Sequence, residues 1–243
     1  AYALLQPGIR FKKEDCLDLP DVTFQTLTCT LSPDQQAAYK TMITTLVSNV
    51  KGVDITAANA AVKMLKLLQV CVGSVYDEHG NGYDLDASDR LKVCEELCEQ
   101  AGRKVIIFVP FTHALDQVAR HLRKRWTVAT VDGRTSDSQR KQIFHDFQTA
   151  PDPRILVAHP KTTAHGLTLT AADTTIWYAP VTSLETFEQA NNRMNRPGQK
   201  HRMTIAMIAA TVLEQNLYQA LKGKQDVQNA VLSLFKNELG LDT

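Results

Sequence analysis

KVIIFV, Lys104 to Val109, is the stretch that decides the fold. After the lysine it runs apolar without alternation, which is what a strand covered on both faces requires. On its C-terminal side the rhythm repeats. A helix is predicted from about His113 to Arg125, a short strand near Val128 to Val131, and a helix from Ser136 to Phe147. Strands follow at Arg154 to Ala158 and Thr174 to Tyr178, then a further helix and a strand from Met203 to Ile208. Helices at about Leu213 to Leu221 and Gln225 to Leu239 end the pattern. Strands separated by helices predict an α/β fold, a parallel sheet flanked by helices. Ligands on such sheets gather at the carboxyl ends of the strands, where the motif-bearing loops are expected to leave.

On the N-terminal side the pattern is helical. A helix is expected from about Ala87 to Gln100, preceded by a polar turn, His79-Gly80-Asn81-Gly82. Before it, Ala57 to Val72 carries Ala61, Met64, Leu65, Leu68 and Cys71 at helical spacing. Ser32-Pro33-Asp34 is a helix start, with Ser at the N-cap, Pro in the first turn and an acid at the positive end of the dipole. That helix should run to about Val50, and Gly52-Val53-Asp54 separates the two as a helical hairpin. Residues 1 to 31 read as mixed and extended, with alternation through Val22, Phe24 and Leu27. The division expected is a linker with an N-terminal helical protrusion over 1–85 and a sheet-bearing domain over 86–243.

Composition excludes more than it selects. A hydrophobic fraction of 44% and a charged fraction of 22% are ordinary for a globular protein. A net charge of +1 gives no global pull toward nucleic acid, so any basic surface has to be local. The five cysteines (Cys16, Cys29, Cys71, Cys94, Cys98) contain no CxxC and have no ligand-spaced histidines, so they read as reduced core residues, and no metal site is expected. No apolar run reaches membrane-spanning length and no signal peptide is visible, so a cytoplasmic location is expected. The chain begins at Ala1 in what already reads as mid-domain sequence, as a piece of something longer would.

QANNRMNRPGQ, Gln189 to Gln199, is the chemical centre. Gln189, Arg193 and Arg196 stand at i, i+4 and i+7, one stripe if the segment is helical. Pro197-Gly198 is expected to break that helix, because Pro disfavours αR at Arg196 and Gly allows a left-handed exit. Two guanidiniums and an amide at a helix end suit a phosphate; the plainer alternative is a solvated helix face. The basic run Arg123-Lys124-Arg125-Trp126 reads more simply as a solvated helix end with Trp126 tucked into the core.

Four ordered blocks resemble the second RecA-like lobe of superfamily-two helicases, specifically the Snf-type DNA translocases. VIIFVPFTHALDQV (Val105 to Val118) is similar to motif IV, and VDGRTSDSQRKQIFHDFQ (Val131 to Gln148) to the Asp-Gly-x-Thr segment after it. TTAHGLTLTAADTTIWY (Thr162 to Tyr178) resembles motif V, and QANNRMNRPGQ fills every fixed position of motif VI, Q-x3-R-x2-R-x-G-Q. The likeness is strong over Lys104 to Ile208 and weaker toward DCLDLPDVTFQTLTCTLSPDQQAAYK. Motif V, with HGL ahead of a tryptophan-bearing strand, looks closest to phage- and prophage-type members. It departs from the usual pattern in having Thr163-Ala164-His165 before Gly166 and Thr168 where Asn is common.

The resemblance implies a motor whose ATP lies between two RecA-like lobes. Arg196 would be the arginine finger, Arg193 its partner on phosphate and Gln189 a positioning residue; Gly166 would let the backbone approach the nucleotide or DNA. Thr112, His113, Arg134, Thr135, Thr162 and Thr163 would contact the backbone of double-stranded DNA, and such contacts grip without reading sequence. His165 is a candidate for coupling the two sites, or a polar loop residue. The chain contains no GxxxxGK[ST] loop and no acidic magnesium box. ATP and Mg2+ would therefore depend mainly on an N-terminal RecA-like lobe, and the isolated chain is expected not to hydrolyse ATP. A stand-alone nucleic-acid- or protein-binding module remains the alternative. A glycosyl or methyl transferase would need a Gly-rich loop after the first strand, and Val109-Pro110-Phe111-Thr112 has none.

Overall fold

The computed structural model describes residues 19–50, 57–76, 79, 81–163, 167–225 and 227–238. Along the chain come β1 (Val22–Thr28), α1 (Pro33–Val50), α2 (Ala57–Cys71), β2 (Ser74–Tyr76), β3 (Gly82–Asp84) and α3 (Ser88–Gln100). The sheet-forming part continues with β4 (Lys104–Phe108), α4 (Thr112–Leu122), β5 (Val128–Val131), α5 (Asp137–Thr149) and β6 (Ile155–Ala158). A 3-10 turn (Pro160–Thr163) leads toward β7 (Ala172–Trp177), α6 (Leu184–Asn191), β8 (Met203–Ala209), α7 (Val212–Lys222) and α8 (Val227–Glu238).

Six strands form one sheet in the order β1-β8-β7-β4-β6-β5, and every neighbouring pair is parallel. The expected flanked parallel sheet is what forms. In β4, Val105 to Phe108 are fully buried, as are all four residues of β6, because helices cover both faces. The apolar run of β4 pairs with β6 on one side and β7 on the other, where the direction of strand addition reverses. Such switch points open crevices at the carboxyl ends. Ser136 caps α5 in a capping box with Gln139, and Thr211 caps α7 with Glu214 in the same way.

Two elements differ from the sequence expectation. The alternating segment at Val22, Phe24 and Leu27 is β1, which lies parallel to β8 from Val22↔Met203 to Thr28↔Ala209. The sheet therefore takes an edge strand from before residue 86. The expected turn at His79 is present, but the residues flanking it form an antiparallel hairpin of β2 and β3, with Ser74 opposite Asp84. Leu85 closes it by donating to Gly73 O at 2.9 Å. The helical hairpin is present: α1 packs on α2, and α2 on α8. Buried Gln35 fastens the first to the second, its Nε2 donating to Val70 O (2.9 Å) and Cys71 O (3.0 Å), carbonyls at the end of α2.

Arg90 on α3 is a buried charged group, only 2% exposed. Its guanidinium donates to Tyr178 O (2.5 Å) and Ile208 O (3.3 Å), just past β7 and near the end of β8, and to both oxygens of Glu214 (2.8 and 2.7 Å). Glu214 also accepts from the Ala210 and Thr211 amides, 2.8 and 3.2 Å away. Burial works against the arginine's charge, but the Glu214 carboxylate, together with Cys29, Tyr178 and Cys71 around it, raises the pKa above the usual value. The pair ties α3, two strand ends and α7 into one body. Cys29, Cys71, Cys94 and Cys98 are buried and in no disulfide, as expected; Cys16 lies outside the described residues.

Candidate functional site

The sequence-predicted residues fall in two places. The first is the rim at the carboxyl ends of β4, β5 and β6. Thr112 and His113 open α4 directly after β4. The helix has no side-chain N-cap, since Phe111 holds that position; instead the His113 amide donates to the Tyr76 hydroxyl at 3.0 Å. Arg134 and Thr135 sit in the turn after β5. Asp132 organises that turn: its amide donates to Thr135 Oγ1 at 3.1 Å and its carboxylate accepts from the Arg134 amide at 2.8 Å. The Arg134 guanidinium forks over Asp132 and reaches Asp116 of α4 at 2.9 and 2.7 Å. These acids raise the pKa of Arg134, while its hydrogen bonds hold the Asp132 carboxyl below the usual range. Asp132, Arg134, Thr135 and Gln139 line a groove of about 440 Å³.

After β6, His159 joins the three strand ends. Its amide donates to Val131 O at 2.8 Å, and its ring lies against the Pro110 backbone and near Asp132. Burial, and then the Lys161 charge, lower the His159 pKa. The Lys161 amide lies 3.3 Å from Nδ1, a bond that needs Nδ1 unprotonated. Thr162 is half-buried, with its hydroxyl on His159 O at 2.7 Å. Thr163, expected beside it as a strand contact, is fully buried, and its hydroxyl donates to Pro160 O at 2.9 Å. That side chain closes the 3-10 turn and does not face outward.

The second place is the arginine segment, and here the expected stripe is corrected. The helix α6 ends at Asn191, so only Gln189 is helical; its amide donates to Glu185 Oε1 at 2.8 Å. Arg193 and Arg196 lie in successive turns beyond the helix. Long-range bonds end the helix before Pro197-Gly198 is reached. Asn191 Oδ1 accepts the Trp177 indole N–H at 2.9 Å, and Arg193 O accepts the Leu169 amide at 2.9 Å. Buried Gln199 donates to Ala172 O at 2.9 Å, while its Oε1 accepts from the Lys200 and His201 amides. Gly198 still takes the left-handed backbone anticipated for it, φ +97°.

This places the arginine segment beside the entrance to β7, not at the carboxyl ends with the other loops. Arg193 is 5% exposed, and its pKa is lowered by burial and then by the neighbouring Arg196 charge. Arg196 is half-buried, with Nε donating to Asn192 O at 3.2 Å. The motif V segment leads from Thr163, at the rim, to Leu169, on the arginine segment. Gly166 and His165 lie outside the described residues. The basic run after α4 keeps its plain reading: Arg125 pairs with Glu95 and Glu99 and stacks on half-buried Trp126 at 4.9 Å.

Asn191, Gln199 and His159 position these two places, yet none is singled out from sequence. Only Gln199 carries a signal, as the last fixed residue of the motif VI pattern. Among the described residues no helix is long and apolar enough to cross a membrane.

The class defined by the fold is the RecA-like α/β lobe. The C-terminal domain of the Sulfolobus solfataricus SWI2/SNF2 ATPase superposes with a TM-score of 0.67 at 21% identity, over 92% of this chain and all of that one. The C-terminal part of the Fun30 ATPase domain gives 0.67 at 16%, over 93% of this chain and all of that one. The S. solfataricus ATPase core in complex with double-stranded DNA gives 0.65 at 24%, over 95% of this chain and 49% of that one. Residues 89–198 match the family described as the helicase conserved C-terminal domain. By sequence the chain is similar to the chromatin-remodelling ATPase INO80 of Mus musculus, 29% identical over 163 residues, covering 66% of this chain and 10% of that protein. The INO80 ATPase of Pyricularia oryzae is 28% identical over 151 residues, covering 60% and 8%. The chain thus spans about a tenth of these curated relatives and is similar to the C-terminal lobe of Snf2-type ATPases.

Proposed function

We propose that the chain is the C-terminal motor lobe of an ATP-dependent double-stranded DNA translocase. The observation that carries this is the pair Arg193 and Arg196, held on a rigid segment by Gln199 and Leu169 while the motif V segment links it to the strand-end rim. The donor set fits a phosphate. Two guanidiniums lie in one short segment, one of them with its pKa lowered by burial and then by the other's charge, so an anion there relieves the repulsion between them.

Arg196 acts as the finger on the γ-phosphate, Arg193 holds phosphate beside it, Gln189 positions, and Gly166 gives the backbone close approach. ATP with its magnesium supplies the reacting phosphoryl group. Among the described residues no cluster of His, Cys, Asp and Glu could hold a metal ion, and we assign the magnesium to an N-terminal RecA-like lobe. Thr112, His113, Arg134, Thr135 and Thr162 grip the duplex backbone. Similarity to chromatin-remodelling and SWI2/SNF2 ATPases supports the ATPase reading, and the S. solfataricus core, one of the similar structures, is a complex with double-stranded DNA. The motif V shape is the ground for placing the chain among phage- or prophage-type members, in a bacterial or infected-host cytoplasm.

The test is ATP turnover with and without duplex DNA, by this chain alone and by the chain joined to an N-terminal lobe. Turnover stimulated by DNA only in the joined form is expected. DNA-stimulated turnover by the chain alone would refute the division of labour. Binding to duplex should weaken steeply with salt and vary little with sequence.

A further inference from the structure

The β2–β3 hairpin is built around His113 more closely than a spacer would be. Tyr76 Oη takes the His113 amide at 3.0 Å, and the two rings meet edge to face with centroids 6.2 Å apart. Asp84 Oδ1 lies 2.5 Å from His113 Nε2, and its other oxygen is 3.5 Å from Arg120 of the same helix. Gly82 lies flush on the imidazole, so that a Cβ there would stand 2.6 Å from Cγ and Nδ1. The hairpin therefore delivers one hydroxyl oxygen and one carboxylate to α4. The recipients are the His113 backbone N–H and imidazole in its first turn and the Arg120 guanidinium in its last, donors of the kind a DNA phosphate engages.

From this geometry we infer that the hairpin is an internal phosphate mimic, which occupies His113 and its helix start until duplex DNA displaces it. The inference rests on the reading of His113 as a backbone contact. Displacement is feasible because the Asp84–Arg120 pair is exposed: its side chains are 44% and 65% accessible, and such pairs hold weakly. The hairpin thus sets a threshold for engagement, and the order of events is hairpin release, then phosphate capture.

Two substitutions lift the hairpin by different means. Asp84→Asn removes the carboxylate charge; Gly82→Ala keeps it and pushes the hairpin off the ring. Each is measured as the 243-residue chain by fluorescence anisotropy with a labelled short duplex at fixed salt, after thermal melting has verified folding. Both should tighten duplex binding, by about two- to fivefold, the weight of an exposed ion pair. Adding His113→Ala to either should cancel the gain. Unchanged or weaker binding in both, while His113→Ala alone weakens the parent, would leave the DNA contact standing and overturn the mimic. A gain in Asp84→Asn alone would reflect only lost negative charge and would also overturn it. If the parent binds no duplex, or His113→Ala alone matches it, the DNA-contact reading fails and the inference fails with it.

Discussion

Arg90 and Arg193 are both buried arginines, 2% and 5% exposed, and their surroundings push them in opposite directions. Around Arg90 burial also lowers the pKa, but the Glu214 carboxylate and the groups beside it raise it on balance. At Arg193 burial lowers it, and the adjacent Arg196 charge lowers it further. A charge matched by a buried carboxylate gives a rigid joint; one crowded by a like charge favours an incoming anion. Within one lobe, burial of the same side chain thus goes with a structural joint in one place and, on the proposed reading, with phosphate binding in the other.

The sharpest way to break the comparison is to truncate the matched arginine. Arg90→Ala should cost about 3–5 kcal/mol of stability, since it leaves Glu214 buried without its counter-charge. Chemical denaturation checks it. A loss below ~1 kcal/mol would mean that the pair does not join α3 to the strand ends and α7. Gln199→Ala comes next, at about 1–3 kcal/mol, because the Ala172 carbonyl and the Lys200 and His201 amides lose a buried partner. In a complete motor it should also reduce ATP turnover, because the arginine segment loses its anchor. The smallest effect is one of pH. The folded-state pKa of His159 lies below its ordinary value, so the neutral ring is favoured in the fold. Its contribution is intact above the unfolded pKa, about 6.5, and declines as pH falls from there toward the folded value. Lys161 and Asp132 face the ring with opposite charges. Melting temperature should therefore fall less between about pH 7 and 5 in His159→Gln than in the parent.

Where the sequence was legible, one local property decided the outcome. β4, β6 and β8 are buried on both faces and so read as apolar runs, and Ser136 marks the start of α5 through its own capping box. The end of α6 was not legible, because it depends on Asn191 meeting Trp177 and Gln199 meeting Ala172, partners 14 and 27 residues away. The β2–β3 hairpin was missed for a similar reason. Its strands have three residues each and gain their place by docking on His113, 29 residues beyond Asp84. The Arg90–Glu214 pair spans 124 residues and leaves no local pattern. At the candidate site, residue types and motif order were legible, but the geometry was not: the arginines leave the helix, and the side chain of Thr163 turns inward.

The most direct test of the central claim is DNA-stimulated ATP hydrolysis by the chain joined to an N-terminal lobe, comparing the parent with Arg196→Ala. Turnover should fall about 10³-fold or more, with duplex binding and melting temperature nearly unchanged. Equal turnover would contradict the assignment of Arg196 as the finger, and would make it a solvated side chain at the edge of a structural turn.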